Sequence, residues 1–166
     1  IYFGGGTPSA ITPEDVDKIL AAIYQNYMIE PGPEITLEAN PEDITPSTLL
    51  AWKQSGINRL SIGVQGFQDE MLAAWNRVHD ARHGLQSIVI AKAEGFQNIS
   101  ADLIYGDPHL SDEAWIENIT ELIDLGIPHL SCYALTVETG TALFHQIQKG
   151  KAKPVDEEQS HRQYGI

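Results

Sequence analysis

Cysteine and basic residues are scarce in this chain, and each shortage excludes a class of protein. Cys132 is the only cysteine, so the chain has no internal disulfide and cannot by itself hold a zinc or iron–sulfur site. Ten basic residues against 23 acidic ones give a net charge of -13. That charge argues against a surface for nucleic acid or anionic membranes, and we expect a cytoplasmic protein.

Long apolar runs and targeting patterns are missing as well. No stretch approaches the roughly 20 apolar residues that a membrane span needs, and no signal-peptide pattern is present. The sequence opens inside a strand-like run at Ile1 and stops as abruptly at Ile166. We therefore expect a piece of a longer protein, with enough residues for one core-bearing domain.

What the chain does contain is a regular alternation of strand and helix patterns. Strand patterns begin near residues 1, 34, 59, 98 and 129, and apolar residues at helical spacing follow each of them. Such alternation predicts parallel βα units. Because no GxGxxG follows the first strand, a dinucleotide-binding fold is not favoured. The pattern predicts an α/β barrel or part-barrel, with a further helix starting near 156–158.

Side-chain alternation within the strands predicts two different faces. Leu37 and Ala39 point one way and Glu38 the other, and residues 60–65 and 99–103 alternate similarly. The apolar face suits packing against helices. The opposite face is small and polar, with its largest groups towards the C-terminal ends of the strands. This indicates a barrel mouth that holds a polar ligand.

The first strand runs into a glycine loop, Gly4–Gly6, followed by Thr7 and Pro8. A glycine loop at the end of a strand leaves backbone polar groups open to a ligand, and ligand sites of α/β proteins lie at such ends. A tight turn between strand and helix, with no ligand, explains the same pattern. On spacing alone the two interpretations are equally good.

Three polar side chains near strand ends are candidates for binding. Glu38 could accept hydrogen bonds from a ribose diol, or it could cap the turn that follows. Gln65 can both donate and accept, or it could be a satisfied amide at the barrel rim. Asp102 lies in an otherwise apolar strand, where an uncompensated charge is unfavourable, so a ligand or neighbouring base is expected as its partner.

Other residues carry weaker signals. Arg77 could bind a carboxylate bidentately, although a lone surface arginine is usually just solvated. His79 and His83 straddle a predicted helix cap at Asp80, so a shared metal is not expected. Cys132 is predicted to be a small buried hydrophobe.

Six motifs occur in order: GGGTPS, ITLEANP, RLSIGVQ, NRVH, NISADLIYG and SCYALTVE. Together they resemble radical S-adenosylmethionine (SAM) proteins of the oxygen-independent coproporphyrinogen-III-oxidase-like family, and within it the haem-chaperone branch. The resemblance implies a partial (β/α)6 barrel, a parallel sheet with outer helices, of which this chain supplies the second to sixth strands. Residues 1–150 would be the incomplete core, and 151–166 the start of a linker or helix leading to a C-terminal region.

The resemblance also implies a set of SAM contacts. Glycine-loop backbone would bind the amino group of SAM, Glu38 its ribose and Arg77 its carboxylate. The full set is Gly5, Gly6, Thr7, Glu38, Gln65, Arg77, Asp102 and Ala134. The family's 4Fe–4S cluster is held by a C-x3-C-x2-C loop, which would lie upstream of Ile1. No metal ligand and no catalytic residue is therefore assigned within this chain.

The resemblance implies the function of the SAM-binding core of a protein in porphyrin or haem metabolism, and within the family it favours the haem-chaperone type. Porphyrin or haem and an electron donor protein are the expected partners. Two alternatives stay open: a haem carrier that uses SAM without turnover, and an inactive truncated barrel. Whether the protein is an enzyme like coproporphyrinogen dehydrogenase also stays open at this point. Two departures from the family pattern are Gly66, where serine is usual, and Asp107, which is expected to add a charge near the barrel mouth.

Overall fold

A computed structural model describes residues 1–166 as one parallel sheet of five strands in sequential order, with a helix or turn after each strand. The strands are β1 (Tyr2–Phe3), β2 (Thr36–Ala39), β3 (Arg59–Gln65), β4 (Asn98–Tyr105) and β5 (His129–Ala134). The helices are α1 (Pro13–Asn26), α2 (Pro46–Gln54), α3 (Asp69–Ala74), α4 (Ala81–Ala93), α5 (Asp112–Asp124), α6 (Ala142–Gln148) and α7 (Glu157–Tyr164). No helix is both long and apolar enough to cross a membrane.

Local sequence signals explain where the helices begin. The Thr12 side chain accepts a hydrogen bond from the backbone of Asp15 at the start of α1, and Asp80 does the same for His83 at the start of α4. Thr45 and Thr48 form a reciprocal capping box at α2. These caps satisfy N–H groups that have no partner inside the helix, and the helix cap predicted at Asp80 is confirmed.

The two faces predicted for the strands are confirmed. Residues with apolar side chains from β2, β3 and β4 are fully or almost fully buried against the helices: Leu37, Ala39, Leu60, Ile62, Val64, Ile99, Ala101 and Leu103. Trp52 of α2 and Trp115 of α5 join this core. The register places Glu38 opposite Ser61 and Ser61 opposite Ser100, which aligns the polar residues on the other face.

Two expectations about the strands need correction. β2 begins at Thr36 rather than near residue 34. Cys132 was expected to be buried, but it is exposed. The reason is that β5 is an edge strand paired only with β4, so its side chains lack the neighbours that bury those of β3 and β4.

Candidate functional site

A polar cleft lies at the C-terminal ends of β1 to β4. Twelve residues line it, and only one of them is hydrophobic. They are Gly6, Thr7, Pro8, Ser9, Glu38, Ala39, Asn40, Ser61, Gly63, Gln65, Arg77 and Asp102. The C-terminal ends of parallel strands are where α/β folds bind ligands, so the position of the cleft fits a binding site.

Glu38 is held by two donors on β1 and its loop. The phenol of Tyr2 donates to Glu38 Oε1 at 2.9 Å, and the backbone N–H of Gly5 donates to Oε2 at 3.1 Å. A Cβ on Gly4 would lie 2.7 Å from Cε1 of Tyr2 and 3.0 Å from Glu38 Oε1. A side chain at position 4 would therefore displace this contact, which explains a glycine there.

The glycine loop has open space around Gly5 and Gly6, and Gly6 lines the cleft. Gly5 and Gly6 have φ angles of +83° and +46°, and no heavy atom lies within 4 Å of where their Cβ atoms would be. Positive φ is available to glycine without steric penalty. Just beyond the loop, Ser9 Oγ donates to Asp43 Oδ2 at 2.6 Å and accepts from the N–H of Asn40 at 3.2 Å. Ser9 thereby ties the loop to the end of β2.

Gln65 occupies an unusual backbone conformation at the end of β3. Its φ of +67° lies in the left-handed region, which non-glycine residues rarely adopt and which is often found at functional sites. The pairing of β3 with β4 shifts register between Ile62 and Gln65. A Cβ on Gly63 would lie 2.8 Å from Gln65 Nε2, so the amide lies over a space that only glycine leaves free.

Asp102 is a half-buried acid of the site. Its carboxylate accepts a hydrogen bond from Ser61 Oγ at 3.0 Å. Partial burial raises the pKa of Asp102 above its ordinary value, hydrogen bonds from Ser61 and Ser131 oppose this, and the charge of Glu38 raises it further. Within the chain the Ser61 hydroxyl is therefore the hydrogen-bond partner of Asp102, and the carboxylate lines the cleft, where a ligand can reach it.

Arg77 reaches the cleft from the link between α3 and α4. The ion pairs of the chain are Lys18–Asp15, Arg59–Glu34, His79–Glu42, His109–Asp107 and Arg162–Asp112. None of them includes Arg77, so its guanidinium is free to pair with an anion. The cleft thus combines one unpaired cation with the carboxylates of Glu38 and Asp102.

The structure brings most of the predicted binding residues together. Six of the eight line the cleft: Gly6, Thr7, Glu38, Gln65, Arg77 and Asp102. Gly5 contacts it through Glu38. Ala134, at the end of β5, is not among the lining residues. The prediction omitted Ser9, Asn40, Ser61 and Gly63, although strand alternation already placed the last three on the polar face.

Asp107 does not add a free charge to the cleft, contrary to expectation. Its side chain is buried, Oδ2 accepts from the indole of Trp75 at 3.1 Å, and Oδ1 accepts from the backbone N–H of His109 at 2.8 Å. The His109 ring lies 3.0 Å from the same Oδ1. The carboxylate is therefore satisfied by its own loop and by Trp75, the residue that follows α3.

No group of three or more His, Cys, Asp or Glu side chains in residues 1–166 lies in a geometry that could hold a metal ion. Although Cys132 as a whole is exposed, partial desolvation of its sulfur raises the pKa of the thiol, and the nearby Asp102 raises it further. A thiol with a raised pKa is a poorer metal ligand, because metals bind the thiolate. The residues present do not fit an iron–sulfur cluster.

The sequence and the fold place this chain in a known superfamily. The family model described as "Radical SAM superfamily" matches residues 1–122, so the chain belongs to the radical SAM superfamily. Membership implies SAM and a 4Fe–4S cluster as cofactors. The partial-barrel fold predicted from the sequence is confirmed.

Among relatives, the heme chaperone HemW of Mycobacterium tuberculosis is 36% identical over 163 residues, covering 98% of this chain and 42% of that protein. The mitochondrial radical S-adenosyl methionine domain-containing protein 1 of mouse is 37% identical over 164 residues, covering 99% of this chain and 37% of that protein. This chain therefore spans about two fifths of these relatives.

Solved structures agree on the fold. Coproporphyrinogen III oxidase (HemN) from Escherichia coli superposes with a TM-score of 0.80 at 24% identity, covering 99% of this chain and 38% of that one. The Elp3 protein of Methanocaldococcus infernus gives a TM-score of 0.80 at 21% identity, covering 96% of this chain and 42% of that one. At these identities the likeness concerns the fold alone.

Proposed function

We propose that this chain is the SAM-binding core of a radical SAM protein of the haem-chaperone type, acting in porphyrin or haem metabolism. The observation that carries the proposal is the charge pattern of the cleft. An unpaired arginine, two carboxylates and an open glycine loop line one cavity at the strand ends. The similarity to HemW, named a heme chaperone, supports the choice of branch.

The chemistry of SAM matches this set of groups. SAM carries an α-ammonium, an α-carboxylate, a sulfonium and a ribose diol. Arg77 would pair with the carboxylate, and Glu38 would accept hydrogen bonds from the diol. Because an ammonium group can only donate hydrogen bonds, the backbone carbonyl oxygens of Gly5 and Gly6 would accept them. The N–H of Gly5 is already bonded to Glu38.

The remaining predicted contacts have roles consistent with their chemistry. Gln65 can donate to and accept from the adenosine part, Asp102 would add negative charge near the cationic end, and Thr7 offers a hydroxyl at the loop. Ala134 stays a proposed contact at the end of β5. When bound at the cluster, SAM supplies the family's radical chemistry, and the chain's own groups bind and orient it.

Binding of SAM can be tested directly in the full-length, cluster-reconstituted protein. Equilibrium dialysis with labelled SAM should show affinity about tenfold or more weaker in Glu38→Gln, because a carboxylate accepts from a diol more strongly than an amide. Glu121→Gln is a matched control on the exposed face of α5. Equal affinity in both variants would contradict the assignment of Glu38.

The haem-chaperone type is tested by comparing two activities of the same full-length protein. We expect added haem to bind stably, seen as a Soret band that persists through gel filtration, without decarboxylation of coproporphyrinogen III. Decarboxylation without stable haem binding would instead favour an oxidase. For the whole protein we also propose a cytoplasmic location and an electron donor protein as a partner.

A further inference from the structure

Arg77 lies in the irregular link, residues 75–80, that joins α3 to α4. Asn76, just before it, has a φ of +58° in the left-handed region, so the backbone turns sharply there instead of continuing the helix. A side chain on such a link is well placed only if the link itself is held. Two buried or half-buried side chains hold it, Trp75 and His79, each two positions from Arg77.

His79 ties the link to the ends of β2 and β3. Its side chain is 1% exposed, with Nδ1 3.3 Å from Glu42 Oε2 and Nε2 3.2 Å from the carbonyl oxygen of Val64. The Val64 carbonyl can only accept, so Nε2 is the donor to it, and Nδ1 lies against the Glu42 carboxylate on the other side of the ring. Val64 immediately precedes Gln65, and Glu42 lies in the turn after β2. One ring therefore connects the link to two strands that line the cleft.

Trp75 ties the other end of the link to β4. Its indole N–H donates at 3.1 Å to Asp107, whose side chain is 5% exposed. Asp107 follows β4, the strand that carries Asp102. A hydrogen bond to a buried carboxylate is stronger than one between neutral groups. The link is thus fixed on both sides of Arg77, to three of the strands that form the cleft.

We propose that Trp75 and His79 are positioning residues that hold the Arg77 guanidinium over the cleft so that it can pair with the carboxylate of SAM. The inference rests on the proposed function. It adds that neither Trp75 nor His79 contacts SAM and that both act only through Arg77. Because the link is already fixed in the free protein, binding of SAM loses less conformational entropy in ordering it.

This action through Arg77 predicts non-additive effects on SAM affinity, measured by equilibrium dialysis in the full-length, cluster-reconstituted protein. Arg77→Ala should weaken binding about 10- to 100-fold, as expected for loss of hydrogen bonds between charged groups. His79→Gln and Trp75→Phe should each weaken it about three- to tenfold. In the Arg77→Ala background, neither substitution should weaken binding further, because the group that they position is gone.

Matched controls exist on the neighbouring helix. Arg82 and His83 are exposed residues of α4, and Arg82→Ala and His83→Gln should bind SAM like the wild type. Thermal unfolding of every variant shows whether it is folded. Should His79→Gln fail to fold, Glu42→Gln and Trp75→Phe test the same two anchors.

The outcomes separate the two hypotheses. Wild-type affinity in Arg77→Ala would overturn the proposed role of Arg77 and this inference with it. Weak binding in Arg77→Ala together with wild-type affinity in His79→Gln and Trp75→Phe would overturn only the inference. Full additivity in the double variants would also overturn it, since the anchors would then act on SAM by another route.

Discussion

The side-chain oxygen of Gln163 accepts a hydrogen bond of 2.7 Å from the backbone N–H of Gly106. Both residues are buried, although they lie on α7 and on the loop after β4. Gln163 Nε2 also donates to the carbonyl oxygen of Leu110 at 2.8 Å, and the indole of Trp115 donates to the Gln163 backbone at 2.9 Å. The last helix of the chain is therefore fastened to the loop that carries Asp107.

Gln163→Leu should detach α7 from this loop. The substitution leaves the buried N–H of Gly106 without a partner, whereas the Leu110 carbonyl keeps the hydrogen bond from Gln159 Nε2 at 2.6 Å. One unpaired buried group costs about 1–3 kcal/mol. We expect the free energy of unfolding in urea to fall by about that amount, and the amides of α7 to exchange faster with deuterium. Gln86→Leu, on the exposed side of α4, is the control. Unchanged exchange in α7 would show that other contacts hold the helix.

Gly63→Ala should impair the cleft while leaving the fold intact. The new methyl group would lie 2.8 Å from Gln65 Nε2, and a flexible amide moves away at little expense to the core. We expect SAM affinity about five- to tenfold weaker, since small displacements of a contact group have large effects. Gly84→Ala is the control, because the atoms nearest to its Cβ lie 3.7 Å away. Equal SAM affinities in the two variants would show that the position of the Gln65 amide over Gly63 does not matter for binding.

Asp102→Asn should stabilise the SAM-free protein at neutral pH while weakening SAM binding. Burial raises the folded-state pKa of Asp102, so the folded state binds its proton more tightly than the unfolded state does. Stability is then greatest below the ordinary aspartate pKa and falls as the pH rises through the raised value. The stability of the asparagine variant does not decrease in this way, because asparagine has no carboxyl group to ionise.

The measurement for Asp102→Asn is the thermal midpoint as a function of pH, from acidic to neutral, alongside the wild type. The difference between the two midpoints should grow with pH and then level off. Asp17→Asn, at an exposed position of α1, is the control, and its thermal midpoint should change with pH in the same way as that of the wild type. A lower midpoint for Asp102→Asn at neutral pH would mean that the hydrogen bond from Ser61 outweighs the burial of charge.

Gly66→Ser restores the residue usual in the family but should destabilise this chain. A Cβ at position 66 would lie 2.5 Å from Cε of Met71, a buried residue of α3. Overpacking of this kind costs about 1–3 kcal/mol, measurable by urea unfolding. Adding Met71→Val should recover much of that stability by removing the atom in contact. No recovery in the double variant would mean that Met71 is not the cause.

The fold could be predicted from the sequence, because the patterns that indicate strands and helices involve residues close together in the chain. Apolar alternation, prolines and capping threonines act within a few residues, so the starts of α1, α2 and α4 could be read from the sequence. The edges of the sheet were less predictable. Cys132 has the pattern of a buried strand residue, but burial depends on neighbours from distant segments, and β5 has only one paired strand.

Part of the candidate cleft was also predictable, because side-chain alternation along a strand is a local pattern. Alternation placed Glu38, Ser61 and Gly63 on one face, and the resemblance to the family singled out Arg77. No local rule could show that Asp107 bonds to Trp75, 32 residues away in sequence, or that His79 lies between Val64 and Glu42. These contacts depend on how three strand ends meet in space.

The sequence by itself determined the order of strands and helices, the polar face of the sheet and the superfamily. Only the tertiary structure decided that Asp107 is a satisfied anchor and not a free charge at the cleft, and that Gln65 takes a left-handed conformation beside Gly63. Secondary structure follows from local sterics and hydrogen bonding along the chain. The state of a buried polar group follows from partners that folding brings together from remote positions.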